Sequence, residues 1–204
     1  MAATAAFEHD SPAAVTGAQA PVACVPWRAL AADTRDWNRL ADRASEPNPF
    51  YESWFLLPAL ELFAGDGQVD LLCFTDSGTL RGLLPVARSR RYYGWPLPNI
   101  GNWLHANCFL GIPLIERGYE AAFWRAALQW ADRNPGLALF WHLRDMALDG
   151  PVYAGLESAL AGTRRRAPLV RQAERAFLQS DMRFPPRSAR SSGDRPTASP
   201  NWEP

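Results

Sequence analysis

The sequence has 204 residues, of which 48% are hydrophobic, including nine Trp and ten Phe. That is enough apolar material to bury one core, which excludes a chain that is disordered throughout. All 21 basic residues are Arg, and they balance 21 acidic residues, so the chain lacks the positive field with which nucleic-acid-binding proteins attract a polyanion. We therefore predict one folded domain and no nucleic-acid partner.

The cysteines and the amino terminus indicate the cellular compartment. Cys24, Cys73 and Cys108 are far apart and form none of the paired motifs that hold metals or run redox chemistry, so we predict three buried thiols and no metal. Met1 to Asp10 has neither the basic start nor the apolar segment of a secretory signal. No apolar run approaches the roughly 20 residues that a membrane helix needs. The predictions are a cytoplasmic location and no membrane span.

Residues 1–21 are rich in Ala, Pro, Thr and Ser without periodicity, which predicts a flexible leader. Val22 to Leu30 predicts a short strand. Asp33 can cap a helix after it, and Asn48-Pro49 predicts the start of a second helix with Pro58 as a kink or restart. The inward positions of the two helices are predicted from their spacing to be Trp37, Leu40, Ala41 and Ala44, and then Phe50, Trp54 and Leu57.

Val69 to Thr75 and Thr79 to Val86 flank Asp76-Ser-Gly78, a pattern typical of a β-hairpin. Arg88 to Ile115 is rich in Gly, Pro, Asn and aromatic residues and has no clean period. We predict a long irregular connection there, with one short strand from Cys108 to Ile112. Ordered connections of this length often carry function.

The next segments alternate between helix and strand patterns. Tyr119 to Arg133 predicts an amphipathic helix. Leu137 to Leu143 is a continuous apolar run too short for a helix, which predicts a central strand covered on both faces. Gly150-Pro151 begins another helix, and Ala167 to Phe177 favours a final strand. The predicted fold class is mixed α/β, with helices on both faces of the sheet.

The composition changes at Asp181, after which Arg, Ser and Pro dominate. We predict that residues 181–204 are disordered and that the folded domain spans residues 22–180. A strand that ends a sheet normally leads to another packed element, so the domain is predicted to be cut short. A second explanation of the tail is GC-rich DNA read in a shifted frame.

The densest group of polar and aromatic side chains lies in the long connection: Trp95, Asn99, Asn102, Trp103, His105 and Asn107. Aromatic walls with a few hydrogen-bonding groups are typical of a pocket for a polar small molecule, so these six are the predicted substrate-binding residues. A loop held by its own hydrogen bonds is equally consistent. Cys108 and His105 match a nucleophile and its base only by spacing, without a third residue to orient them, so a structural role is favoured for both.

Four segments resemble, in order and spacing, one known family: Pro49-Phe50 followed by Trp54, then Gly82 to Pro85, Asn102 to His105, and Cys108 to Leu114. The series resembles the amino-terminal half of GNAT-type N-acetyltransferases of the cellulose-biosynthesis CelD kind, which look like FemAB-type proteins. The resemblance covers about residues 27–180. It implies a GNAT-like, largely antiparallel sheet and an acyl-CoA-dependent N-acyltransferase acting on a small-molecule amine or amino sugar.

In that family the acyl-CoA cradle and most of the transfer chemistry belong to the carboxy-terminal half. The resemblance therefore implies that the half that binds acetyl-CoA or another acyl-CoA is missing, and no catalytic or cofactor-binding residue is assigned. Arg91-Tyr-Tyr-Gly94 echoes the R-x-x-G-x-G/A loop that holds a pyrophosphate in acetyltransferases, but Pro96 stands where Gly or Ala is needed and no helix is predicted to follow.

Two further expectations follow from an incomplete domain. A half without its partner exposes apolar surface, which predicts self-association. The alternative to an acyltransferase is a non-catalytic half domain that uses the loop at residues 95–108 to bind a ligand or a partner chain.

Overall fold

The computed structural model describes residues 22–65 and 69–174, so the predicted leader (1–21) and the predicted tail (181–204) lie outside the described residues. The chain divides into a compact unit that ends at Arg166 and a second unit that begins at Ala167. The described residues of the second unit, 167–174, form neither helix nor strand and are exposed. The strand predicted from Ala167 is therefore wrong over that range, and the predicted domain limits stay predictions.

The described part of the first unit contains six strands, five α-helices and one 3₁₀ turn. Its first half consists of β1 (Val22–Pro26), α1 (Trp27–Ala31), α2 (Arg35–Arg43), the 3₁₀ turn (Pro49–Tyr51), α3 (Ser53–Phe63), β2 (Val69–Asp76) and β3 (Thr79–Ser89). Its second half consists of β4 (Asn99–Asn102), β5 (Leu114–Ile115), α4 (Glu120–Arg133), β6 (Phe140–His142) and α5 (Pro151–Leu160).

The strands form one sheet in the order β1-β2-β3-β4-β6, with β5 paired to β3. Every pair is antiparallel except β4 and β6, which run parallel. One face packs on α4, where the rings of Phe74 and Phe123 lie 6.1 Å apart. Leu71 and Leu83 point to the opposite face and are fully buried, with α1 and α2 against these strands. The predicted mixed α/β class, largely antiparallel with flanking helices, is confirmed.

The elements predicted from clear turn residues or from a helical period are present in the structure. The hairpin around Asp76-Ser-Gly78 is confirmed, as are the helices predicted from Tyr119 and from Gly150-Pro151, which are α4 and α5. None of the helices in the described ranges is both long and apolar enough to cross a membrane.

The first predicted strand is too long, because the chain turns into α1 at Trp27 after only five paired residues. The predicted cap is also one residue early. Thr34 precedes α2, and the Asp33 carboxylate accepts a hydrogen bond from the Arg35 amide at 3.1 Å instead. Local propensity does not reveal these ends, since pairing with β2 decides where β1 stops.

The second predicted helix is divided. Asn48 does cap at its predicted place by accepting from the Phe50 amide at 3.1 Å, but only a 3₁₀ turn follows before α3 begins at Ser53. The break rotates the inward stripe, so that Leu56 and Leu60 are buried whereas Trp54 is 50% exposed. Pro58 lies inside α3 without ending it.

Two strand predictions in the second half are wrong. Cys108 to Ile112 is not a strand, and the strands of that connection are β4 and β5. The run from Leu137 to Leu143 contributes an edge strand rather than a central one, since in the described residues β6 pairs with β4 alone and Leu139 is 68% exposed. An apolar run indicates burial only if other elements cover it, which its own sequence does not show.

The amino terminus of α5 is capped from far along the chain. A carboxylate oxygen of Glu46 accepts a hydrogen bond from the Val152 amide at 2.7 Å, one of the donors that the first turn of a helix cannot satisfy internally. Burial raises the pKa of Glu46 against the opposing effect of the Val152 hydrogen bond, and the charges of Asp149 and Glu120 raise the pKa further.

Replacing Glu46 by Gln should weaken the pH dependence of stability. Because the folded-state pKa is raised, the stability linked to this group is fully present below the ordinary value of 4.5 and is lost as the pH rises through the folded-state pKa. Raising the pH from about 4.5 to about 7 should therefore cost the unaltered protein more free energy of unfolding than Glu46→Gln. Urea titrations at both pH values measure this, with the exposed Glu157→Gln as control. Parallel losses in the unaltered protein and Glu46→Gln would refute it.

Candidate functional site

The parallel strands β4 and β6 stop pairing after Gly101 and His142, and Asn102 lies where they separate. Its side chain is 1% exposed. Its amide nitrogen donates to the Arg144 and Gly111 carbonyl oxygens, both at 2.9 Å, and its amide oxygen accepts from the Arg144 amide at 2.9 Å. The side chain thus replaces a strand residue and closes the gap between the two strands.

The segment at residues 110–112 is held from both sides by buried asparagines. On the side opposite Asn102, the Asn48 amide nitrogen donates to the Ile112 carbonyl at 2.7 Å and to the Leu110 carbonyl at 3.3 Å. The Gly111 amide donates to the Asp145 carbonyl at 2.7 Å. These side chains satisfy backbone groups that a strand partner would otherwise satisfy, which explains why the predicted strand at Cys108 to Ile112 does not form.

Gly111 is fitted closely against the end of β6. A Cβ atom at this position would lie 2.1 Å from the Arg144 carbonyl oxygen and 2.3 Å from the Asn102 amide nitrogen. Only glycine lets the backbone approach so closely. The space beyond the two parallel strands is therefore filled by this chain's own backbone and side chains.

His105 belongs to an aromatic cluster on the side of α3. Its ring stacks on Phe63 at 4.9 Å and on Phe55 at 5.9 Å, and it lies 5.4 Å from the ring of Trp103. Nδ1 accepts from the Asn107 amide at 3.2 Å. Nε2 is buried and has no hydrogen-bond partner among the described residues. Burial lowers the pKa of His105, which favours the neutral ring.

Cys108 and His105 do not form a nucleophile and base. The Cys108 thiol lies 3.5 Å from the Leu110 carbonyl oxygen, and burial raises its pKa to about 11. Because the thiolate is the reactive form, a thiol with a raised pKa is poorly reactive. These contacts agree with the structural role that the sequence favours for Cys108 and His105.

The six predicted substrate-binding residues occupy several environments. Trp103, His105 and Asn107 adjoin the aromatic cluster, and Asn102 closes the strand gap. Asn99 is buried and donates to the Arg91 and Leu97 carbonyls, both at 3.1 Å. Trp95 is 70% exposed in the turn that it closes with Tyr92. Their role in binding stays a prediction.

The Arg91 to Pro96 segment is a closed turn. Tyr92 and Trp95 exchange backbone hydrogen bonds at 2.9 and 3.0 Å, and β4 rather than a helix follows. An anion cradle needs amides that point outward at the start of a helix, and this turn does not supply them.

Sequence reasoning missed Asn48 and Phe63 as parts of this region. The sequence predicts Asn48 as a local cap, and that role hides its second one, because one amide group can cap a helix and also reach a distant carbonyl. Phe63 lies in α3, 42 residues before His105, and no local pattern joins the two. No group of three or more His, Cys, Asp or Glu residues that could hold a metal occurs in the described ranges.

No family model matches the chain, and no curated protein matches it. One matching solved structure is the aminoglycoside antibiotic 6′-N-acetyltransferase of Acinetobacter haemolyticus without ligand. It is 14% identical, the match covers 76% of this chain and 99% of that one, and the TM-score is 0.41. A likeness at that TM-score carries no argument about function.

Proposed function

We propose that the chain is the amino-terminal half of an acyl-CoA-dependent N-acyltransferase of the GNAT type, and that this half does not bind acyl-CoA by itself. The sequence resemblance over about residues 27–180 supports the family. The observation that carries the proposal is the β4-α4-β6 unit, a single parallel pair in an otherwise antiparallel sheet, whose strands separate after Gly101 and His142.

The closure of that gap supports the second part of the proposal. In open α/β sheets, ligands bind beyond the carboxyl ends of parallel strands. Here Asn102 and the Gly111 segment fill that space and use their hydrogen-bonding groups on each other and on Arg144. An acyl-CoA would have to displace these buried and part-buried hydrogen bonds. We therefore propose that the acyl-CoA site belongs to the other half and that the acceptor is a small amine or amino sugar.

Isothermal titration with acetyl-CoA tests the half-domain proposal. The chain should give no saturable heat, and ATP, which shares the adenine nucleotide, serves as control. Saturable binding of acetyl-CoA but not ATP would overturn the proposal that this half lacks the site.

A second experiment tests the acyltransferase itself. Translating the two other frames after codon 180 should reveal a helix-rich continuation with an R-x-x-G-x-G/A loop. The chain expressed with that continuation should release CoA thiol from acetyl-CoA when glucosamine is added. If neither frame contains such a loop, the account of the chain as a truncated half fails. If the joined protein releases no CoA thiol with glucosamine, the proposed amino-sugar acyltransferase fails.

The alternative, a binding module that uses residues 95–108, has weaker support because those residues do not converge on one pocket. Its best support is the aromatic cluster, in which Phe63 is 53% exposed and the neighbouring His105 Nε2 has no hydrogen-bond partner within the described part of the chain. Self-association also stays a prediction. The surface that favours it is the segment that leads into the edge strand β6, where Leu137 and Leu139 are 76% and 68% exposed.

A further inference from the structure

A cavity of about 280 Å³ lies between the sheet and the last turn of α4. The strand registers place the side chains of its floor on one face of the sheet: Cys24, Asp70, Val86, Arg88 and Ile100. They are covered by Trp130, in the last turn of α4, and by Asn134, the residue that follows this helix. The volume lies just below the roughly 300–1,000 Å³ of drug-sized ligand sites, which restricts the occupant to a smaller molecule.

Two opposite charges line this cavity. Burial, together with the charge of the Asp70 carboxylate and a hydrogen bond to it, raises the pKa of the Cys24 thiol to about 12, against the opposing charge of Arg88. The thiol is therefore protonated and offers Asp70 a single donor, so among the described residues that carboxylate keeps acceptor capacity for a ligand.

Arg88 supplies the positive charge and is held in place. Its guanidinium donates to the Asn134 carbonyl at 2.6 Å and to the Pro135 carbonyl at 2.9 Å, and it lies 5.8 Å from the centre of the Trp130 ring. A guanidinium has five N–H groups, so others remain for a ligand. No ion pair joins Arg88 to Asp70 among those of the described residues.

Fixed charges of opposite sign select the ligand. A simple cation is repelled by Arg88 and a simple anion by Asp70, whereas a molecule with both charges satisfies the two groups together. Trp130 adds apolar surface for an uncharged portion, and the nearly buried Val86 and Ile100 add a little more.

We propose that this cavity binds a small zwitterion, a free α-amino acid with an aliphatic side chain. Its ammonium group bonds to Asp70 and its carboxylate to Arg88, and its side chain packs on Ile100 and Trp130. This proposal goes beyond the acyltransferase proposal and does not depend on it, because the cavity lies on the face of the sheet under α4 and involves no transfer chemistry.

Isothermal titration with L-leucine tests the proposal on the unaltered chain. Leucinamide lacks the carboxylate and 4-methylpentanoate lacks the ammonium group, so each should bind at least about tenfold more weakly, or ~1.4 kcal/mol. Asp70→Asn should weaken leucine binding by a similar factor. The control is Asp42→Asn, which changes an exposed carboxylate outside the cavity lining and should bind leucine as the unaltered chain does.

Three results would overturn the zwitterion site: no saturable heat up to about 10 mM leucine, equal binding of leucine and either analogue, or full binding by a folded Asp70→Asn. The comparison of ligands on the unaltered chain is decisive even if Asp70→Asn does not fold. Acetyl-CoA binding is measured separately, so failure here leaves the proposed function untouched.

Discussion

Replacing Asn102 by Ala should lower the free energy of unfolding by about 4 kcal/mol. The substitution removes three hydrogen bonds of 2.9 Å and leaves the Arg144 amide, the Arg144 carbonyl and the Gly111 carbonyl without that partner. Each buried polar group left unsatisfied costs about 1–3 kcal/mol, well above the net value of a typical hydrogen bond.

Urea denaturation followed by tryptophan fluorescence measures the effect, and the chain offers a matched control. Asn107 is an exposed asparagine five residues along, and Asn107→Ala should change stability by less than about 0.5 kcal/mol. Asn102→Asp should be as harmful as Asn102→Ala, because it presents a charge to two carbonyl oxygens. A loss below about 1 kcal/mol for Asn102→Ala would mean that Asn102 does not hold the strand gap closed.

Asn102 also shows how far the sequence leads towards the site. Composition predicts a polar and aromatic region at residues 95–108, and the structure does concentrate buried amides there. An amide that binds a ligand and an amide that replaces a strand partner look the same in the sequence. The deciding contacts join Asn102 to Arg144, 42 residues away, and no local pattern encodes that separation.

The elements of the fold also differ in whether local sequence predicts them or distant pairing decides them. The hairpin and α4 depend on turn residues and on a helical period, which are local, and they were predictable. β4 is four residues of Asn, Ile, Gly and Asn, and it is a strand because β3 and β6 pair with it rather than through its own propensity. One continuous helix from Pro49 would bury Trp54, but the break before Ser53 changes the phase of the helix and leaves Trp54 exposed.

Replacing Gly111 by Ala should cost about 3 kcal/mol or more of unfolding free energy. The new Cβ atom would lie 2.1 Å from the Arg144 carbonyl oxygen. That obstacle is a backbone atom, so it cannot rotate away, and the clash is relieved only if the 110–112 segment moves away from Arg144. Gly162→Ala is the control: its Cβ would meet nothing within 4 Å, and only its φ of +74° opposes it, at about 1–2 kcal/mol.

The double variant separates the two obstacles at Gly111. Asn102→Ala removes the amide nitrogen that lies 2.3 Å from the new Cβ but leaves the Arg144 oxygen in place. The segment is already detached from Asn102 in that background, so adding Gly111→Ala should cost clearly less than it does alone, with a coupling of about 1 kcal/mol or more. Equal costs in both backgrounds would mean that Gly111 and Asn102 act independently, and the gap between β4 and β6 would then not be closed by one coupled unit.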